Sequence, residues 1–366
     1  MSWTFLGAYN PAYARSAVIR RGLKLCGLDV RECQVLPKFK FWARYPLLLL
    51  KYFILTRKTS VAPGSGPSPD FLFVPEFCQK DVPLAKGLSL LAASNLIFDP
   101  LASRYETKIV DWKRRPPDSL SAWWNFKIDV AAFRLADLIL ADTAAHRDYY
   151  RRMYGLDAEK IEVLPLGYDD EFFKPARRKP EQNLKVLFYG SFLPLHGVET
   201  IAEAARIVAA EDASIRFRLA GSGQTLPQVR EVVETCGLRN VEFLGWLSLT
   251  RLRGIIAESD ICLGIFGRTE KAARVVPHKI YQSLGMQKAV ITARTPAVEE
   301  FFMHRENLFL CDEPLAESLA RAILELKEDV SLRERIALNG FQLVKERHSP
   351  KTVALRLLDI VQRHFH

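Results

Sequence analysis

The sequence lacks several features that would have decided its class at once. Its six cysteines, Cys26, Cys33, Cys78, Cys236, Cys262 and Cys311, are scattered, with no CxxC pair and no Cys/His cluster at zinc spacing. That excludes a zinc module, and reduced thiols in a cytosolic protein are the simplest reading. The longest apolar run, "YPLLLLKYFIL", is too short to span a bilayer and carries Lys51 inside it. "MSWTFLGAY" goes directly into a strand-like run, so no signal peptide is expected. No GxGxxG follows the first strand with an acid about twenty residues on, which disfavours a dinucleotide-dependent oxidoreductase. No DxD pair stands at a strand end, so no metal site is expected and no cofactor is implied.

What is present is a soluble globular composition, 49% apolar and 26% charged. At 366 residues the chain suits two domains. Lys and Arg number 52 against 42 Asp and Glu. The excess sits early: residues 1–178 hold 27 basic and 19 acidic residues, the remainder 25 and 23. A basic first half favours an anionic partner, membrane lipid or nucleic acid. The stretch "KFKFWARYPLLLLKYFILTRK" (38–58) carries six cations and no acid. Interleaved with aromatics and leucines, these suit insertion into an anionic membrane surface. The bland alternative is a core helix with solvated ends. Nucleic acid is set aside, because no nucleic-acid fold motif accompanies the charge.

The opening "SWTFLGAYNPAYARSAVIRRGLKLCGLDVREC" reads strand, loop, helix, strand, the start of a parallel sheet. Similar units follow through "DFLFVP", "NLIFD", "DLILAD" and "IEVLPLG", with "APGSGPSP" (62–69) as a loop. "KPARRKPEQN" (174–183) reads as a linker. A second series begins at "LKVLFYGS" and continues through "IRFRLAGSG", "VEFLGW", "ICLGIF", "AVITA" and "NLFLC". The expected domains are 1–178 and 179–349, with 350–366 a candidate for packing back on the first. Ligands in doubly wound sheets sit at strand C-terminal ends. The residues that carry chemistry are therefore sought there.

Gly190 and Ser191 end a strand ahead of His196. Gly221 and Gly223 allow close approach to a ligand or form a tight turn. Trp246 follows the "FLG" strand, where it could stack on a base or simply pack. Most pointed is "RVVPHKIYQSLGMQKAVIT". Its helix opens on Pro277, His278 and Lys279, with Lys271 and Arg274 just upstream. A helix N-terminus already carries partial positive charge, so nearby cations call for an anion. In the first half, Gly7, Tyr9, Asn10 and Arg15 border the first turn, and Asp99, Ser103 and Tyr105 follow a later strand. Loop capping is their alternative role. His146, after Asp142-Thr143, reads as a surface histidine behind a helix cap, with catalytic base as the other reading.

Taken together, these runs resemble the retaining glycosyltransferases of the GT-B fold, glycosyltransferase family four. "VLPLGYDDEFFKP" and "PHKIYQSLGMQKAVI" match the family's V-x-P-x-G-x-D…F-x-P and P-x-K-x-x-E-x-L-x-x-G-x-P-V-I runs. The resemblance implies an α/β GT-B fold, two Rossmann-like doubly wound domains facing an interdomain cleft. It implies a metal-independent hexosyl transfer from a nucleotide sugar to a glycan or lipid-linked acceptor. It places the donor diphosphate over the helix near Pro277 and Lys279, with Ile280 and Gln282 on the donor side. It also implies a front-face reaction in which the donor phosphate takes the acceptor proton. Tyr9, Asn10, Ser103, Tyr105 and His146 fall on the acceptor side, and Gly7 and Arg15 near the donor phosphates. Lys279, Arg274 and Asp99 are the expected catalytic residues.

Two departures stand out. The family's two glutamates, separated by seven residues, correspond here to Arg274 and Gln282. Gln282 can still hydrogen-bond a ribose hydroxyl, the role implied for the second glutamate, whereas Arg274 reverses a charge. The family's Arg and Lys near the first strand are absent, with Ser191 and His196 near those places, so the cations are expected at Lys271, Arg274 and Lys279 instead. A GT-B nucleotide-sugar 2-epimerase and a catalytically inactive GT-B binding subunit are the alternative functions. A cytoplasmic protein, peripheral on the inner face of a membrane, is the expected setting.

Overall fold

The structure, a computed structural model, describes residues 1–59, 70–176 and 183–365. The chain divides into two compact units, Met1–Pro165 with Pro350–His366, and Leu166–Ser349. The loop expected at 62–69 and the middle of the expected linker, 177–182, lie outside the described residues.

The first unit is built on β1 (Ser2–Gly7), β2 (Asp29–Gln34), β3 (Phe71–Val74), β4 (Asn95–Phe98), β5 (Leu138–Ala141) and β6 (Ile161–Val163). They form a six-stranded sheet in the order β2-β1-β3-β4-β5-β6, with parallel pairings. The inner strands read FLFV, NLIF and LILA and are buried almost throughout, as a parallel sheet covered on both faces requires. Strand order reverses between β1 and β3. A doubly wound sheet opens a crevice at that switch point, at the strand C-terminal ends.

The last helix, Pro350–Phe365, packs on the helix Ala14–Leu25 of this unit. Contact there is so close that a Cβ on Gly22 would lie 2.0 Å from the Pro350 carbonyl oxygen. Only a glycine allows the two backbones to meet.

The second unit carries β7 (Lys185–Tyr189), β8 (Arg216–Ala220), β9 (Val241–Gly245), β10 (Ile261–Leu263), β11 (Ala289–Ala293) and β12 (Phe309–Cys311). Their order is β12-β11-β10-β7-β8-β9, again parallel. Its switch point lies between β7 and β10.

The boundary between units falls at residue 165 rather than at 178. The reason is local. His348 bonds the Leu166 carbonyl through Nδ1 at 2.8 Å, and the Tyr168 N–H donates to the His348 carbonyl at 3.2 Å. The Tyr168 ring lies against Gly285, where a Cβ would come within 2.4 Å of it. These contacts fasten the segment ahead of the expected linker to the second unit.

The basic apolar stretch forms the helix Phe41–Thr59. Leu48 and Tyr52 face the core, while Trp42, Leu47, Leu50, Phe53 and Ile54 are exposed. At 100° per residue, the exposed five fall on one side of the helix, opposite Leu48 and Tyr52. A core helix with solvated ends is therefore not what forms: its outward face is apolar.

Candidate functional site

In the second unit the site grows from the C-terminal end of β7. Gly190 follows Tyr189 with a φ of +135°, and a Cβ there would sit 3.1 Å from the Lys279 Nζ. Lys279 belongs to the helix His278–Gly285, whose N-cap, Pro277, supplies no side-chain hydrogen bond. The Lys279 side chain is buried, and among the described residues its Nζ finds no hydrogen-bond partner. Instead it lies over the Phe188 ring, 3.8 Å from the centroid. Burial pushes the pKa of this lysine well below the usual value.

His196 stands beside it. Its Nδ1–H donates to the Ser191 carbonyl, which fixes the tautomer and leaves Nε2 as an acceptor. Burial first, and then the Lys279 charge, hold its pKa well below normal, so the ring is neutral. Lys271, also buried, adds to that repulsion. The structure thus gathers Gly190, Ser191, His196, Lys271 and Lys279 around one helix N-terminus. An uncompensated buried donor beside a helix start and a glycine turn can seat an anion.

Two neighbours tune it. The Tyr189 hydroxyl bonds the Lys279 carbonyl at 2.9 Å and reaches Ser283 and Gln282 at 3.1 and 3.3 Å. Gln282 is thereby positioned by β7. Arg274 pairs with Glu270 at 3.2 Å, so its charge is partly met by a carboxylate four residues upstream. Pro277 and His278 are half-buried at the helix start.

Other expected donor residues play different parts. Ile280 is fully buried core, and its N–H is used by the Pro277 carbonyl. A Cβ on Gly221 would lie 1.8 Å from the Gly190 carbonyl oxygen, and one on Gly223 2.5 Å from that of Phe192. The close approach these glycines permit is between adjacent strand ends. Trp246 is 68% exposed at the end of β9, the edge strand.

In the first unit, a cavity of about 300 Å³ opens at the β1/β3 switch point. Tyr9, Asn10 and Tyr13 line it from the first loop, Glu76 and Phe77 from beyond β3. Gly7 lets the loop pass Cys78, whose Sγ would be 3.0 Å from a Cβ, and frees the Ala8 N–H to donate to Asp81 at 2.8 Å. The Tyr9 hydroxyl donates to Glu32 at 3.1 Å, and Arg20 holds the same carboxylate. Asn10 turns its side chain to the Ala12 N–H.

Arg15 and Asp99 are each 1% exposed and bonded to one another at 2.7 Å, with Arg15 also donating to the Pro165 carbonyl at 2.9 Å. They form a buried tie between the helix Ala14–Leu25 and the end of β4, while the Arg15 Nη2 is buried without a hydrogen-bond partner among the described residues. Ser103 caps the Glu106 N–H at 2.9 Å. Tyr105 lines a separate cavity with Trp123 and Phe126.

His146 is not on the surface. It is fully buried, with Asp142 at 2.7 Å on Nδ1 and Glu106 at 3.2 Å on Nε2. Burial opposes its charge, yet the two carboxylates outweigh burial and raise its pKa to about 9. A doubly bonded imidazolium is a structural cross-link, and a poor base.

Glu76, Arg44, Lys80 and Arg104 are not among the residues the sequence singles out, yet they wall the same cavity. For Glu76 a signal exists, an acid just past a strand end in "FLFVPE". Burial, and then the neighbouring Asp99, raise its pKa to about 7.

Known proteins bear on both units. The family model for glycosyl transferases group 1 matches residues 169–343. The chain is 25% identical over 272 residues to the lipopolysaccharide core biosynthesis glycosyltransferase LpsD of Rhizobium meliloti, covering 68% of this chain and 76% of that protein. It is 25% identical over 180 residues to the mannosylfructose-phosphate synthase of Agrobacterium fabrum, spanning 41% of this chain and only 40% of that protein. The crystal structure of Anabaena HepE in complex with UDP and glucose superposes with a TM-score of 0.72, covering 99% of this chain and 100% of that one. At 16% identity this is a likeness of fold. Residues 169–343 match the family of glycosyl transferases group 1, and the fold of the chain is that of a GT-B glycosyltransferase.

Proposed function

We propose that this chain is a retaining glycosyltransferase. It moves a sugar from a nucleotide-diphosphate donor to a glycan or lipid-linked acceptor in cell-surface polysaccharide or glycolipid synthesis. The observation that carries the reading is Lys279, a buried amine without a hydrogen-bonding partner among the described residues, at a helix N-terminus. The relationship to a lipopolysaccharide core enzyme supports the choice of acceptor class.

In this reading the donor diphosphate lies over the start of the helix His278–Gly285, and Lys279 and Lys271 meet its charge. The bond between the anomeric carbon and the phosphate oxygen breaks, and its electron pair stays on that oxygen. The acceptor hydroxyl forms the new glycosidic bond on the same face and gives its proton to the departing phosphate. Fixed cations and helix N–H groups stabilise the charge as it grows. Gln282, whose Oε1 accepts from the Tyr189 hydroxyl, hydrogen-bonds the ribose in this reading. The apolar face of the helix Phe41–Thr59 seats the enzyme on the cytoplasmic surface of an anionic membrane. Among the described residues, no helix is long and apolar enough to cross one.

A thermal-shift screen against a panel of nucleotide sugars tests the reading. Stabilisation by one nucleoside diphosphate sugar, with turnover when acceptor extract is added, is the expected result. Donor consumption without acceptor would point to an epimerase, and silence across the panel to a binding subunit.

A further inference from the structure

The cavity at the β1/β3 switch point is walled by cations that the protein does not fully neutralise. Arg44 comes from the helix Phe41–Thr59, Lys80 from the turn Gln79–Asp81, and Arg104 from the loop after β4. Arg44 is pinned by Asp81 at 3.0 Å and by the Phe39 carbonyl at 3.1 Å. Arg104 sits on a segment fixed by Asp129, which accepts the Arg104 and Tyr105 N–H groups at 3.1 and 2.8 Å. The Arg104 Nε is itself buried and makes no hydrogen bond among the described residues. Neither Lys80 nor Arg104 has a carboxylate at ion-pair distance among the described residues.

These charges act on each other. Burial, then Arg104 and Arg44, lower the pKa of Lys80. Burial, then Arg104 and Lys80, do the same to Lys108 just outside. Like charges held together in a half-buried cavity raise the free energy of the empty state and favour an anion there. Glu76, on the opposite wall, is bonded by the Ser16 hydroxyl at 2.8 Å.

Donors from three separate elements converge on one space. A tetrahedral phosphoryl group offers oxygens in three directions, whereas a carboxylate offers two in a plane and suits a single guanidinium fork. Arg44 also lies on the helix whose outer face exposes Trp42, Leu50 and Phe53. We propose that this cavity binds the diphosphate of a lipid-linked acceptor through Arg44, Lys80 and Arg104. The proposal rests on the transferase reading, since it names the acceptor of that reaction.

Calorimetric titration of the full chain with inorganic pyrophosphate, and in a second arm with geranyl diphosphate, tests it. Lys80→Gln/Arg104→Gln should weaken both ligands about tenfold or more, since each lost charged hydrogen bond is worth about that factor. Lys279→Met is the background for these titrations: it removes the cation of the donor seat, so the isotherm reads this cavity, whose affinity for both ligands should stay intact. Lys80→Gln alone, at a half-buried position, gives a milder variant with a smaller loss in the same direction. Geranyl diphosphate should bind more tightly than pyrophosphate. Unchanged affinity in the double variant would overturn the site. Equal binding of glucuronate would overturn the phosphoryl assignment, and equal binding of the two diphosphates the lipid source. Nucleotide-sugar binding should persist in Lys80→Gln/Arg104→Gln and in Lys80→Gln, with Lys279 intact, and shows that they fold. Its absence in the wild type would sink the transferase reading alone, while the pyrophosphate result would still decide this site.

Discussion

The Lys279 Nζ lies 3.8 Å from the centroid of the Phe188 ring and makes no hydrogen bond among the described residues. A buried amine in that position weakens the fold, and the reading proposed above gives it an anion to meet.

Lys279→Met should therefore raise thermal stability while it damages turnover. Removing an unsatisfied buried donor is worth about 1–3 kcal/mol. Losing a fixed cation opposite developing charge costs about 10²–10³ in rate. Melting curves and initial rates on the one variant check both. A variant less stable than the wild type would mark Lys279 as a structural residue.

His146 makes stability depend on pH. Its pKa is raised from 6.5 to about 9. The contribution is fully present below 6.5 and is lost as pH rises through about 9, and it amounts to roughly 3 kcal/mol at most. Urea unfolding of His146→Gln against the wild type should show a large gap at pH 6 that closes by pH 10. A gap independent of pH would contradict the cross-link.

Glu76 works the same way from the acid side. With a pKa raised from 4.5 to about 7, its contribution is complete below 4.5 and disappears as pH passes 7. Glu76→Gln should match the wild type in acid and exceed its stability at pH 8. Denaturant midpoints at the two pH values decide this, and equal offsets at both would count against it.

The outward face of the helix Phe41–Thr59 should bind anionic vesicles. Flotation with phosphatidylglycerol vesicles is expected for the wild type and should fall sharply in Trp42→Ser/Leu50→Ser/Phe53→Ser. High salt should weaken it too, since each nearby cation adds about 1 kcal/mol. Flotation that ignores these three side chains would remove the helix from the account.

Much of the fold is legible in the sequence because its signals are local. Short apolar strands ending in glycine turns mark both sheets, and the Pro-His-Lys helix start marks the anion seat. What stays hidden depends on segments distant in sequence. His146 looks like a capped surface residue because Glu106, its second carboxylate, lies forty residues away. Arg44, Lys80 and Arg104 look like separate surface cations until three elements bring them to one cavity. Arg15 and Asp99, each at a suggestive strand end, are bonded to each other. The domain boundary is displaced because a loop sequence does not reveal which side its tyrosine packs on.

Calorimetric titration of the nucleoside diphosphate selected by the nucleotide-sugar panel into wild type and Lys279→Met tests the central claim most directly. Because burial lowers the pKa of the empty-site lysine, binding a diphosphate should raise it again. The account predicts proton uptake on binding, tighter binding at lower pH, and loss of both with a large drop in affinity in Lys279→Met. Equal affinity in the two proteins, with no proton uptake, would contradict it.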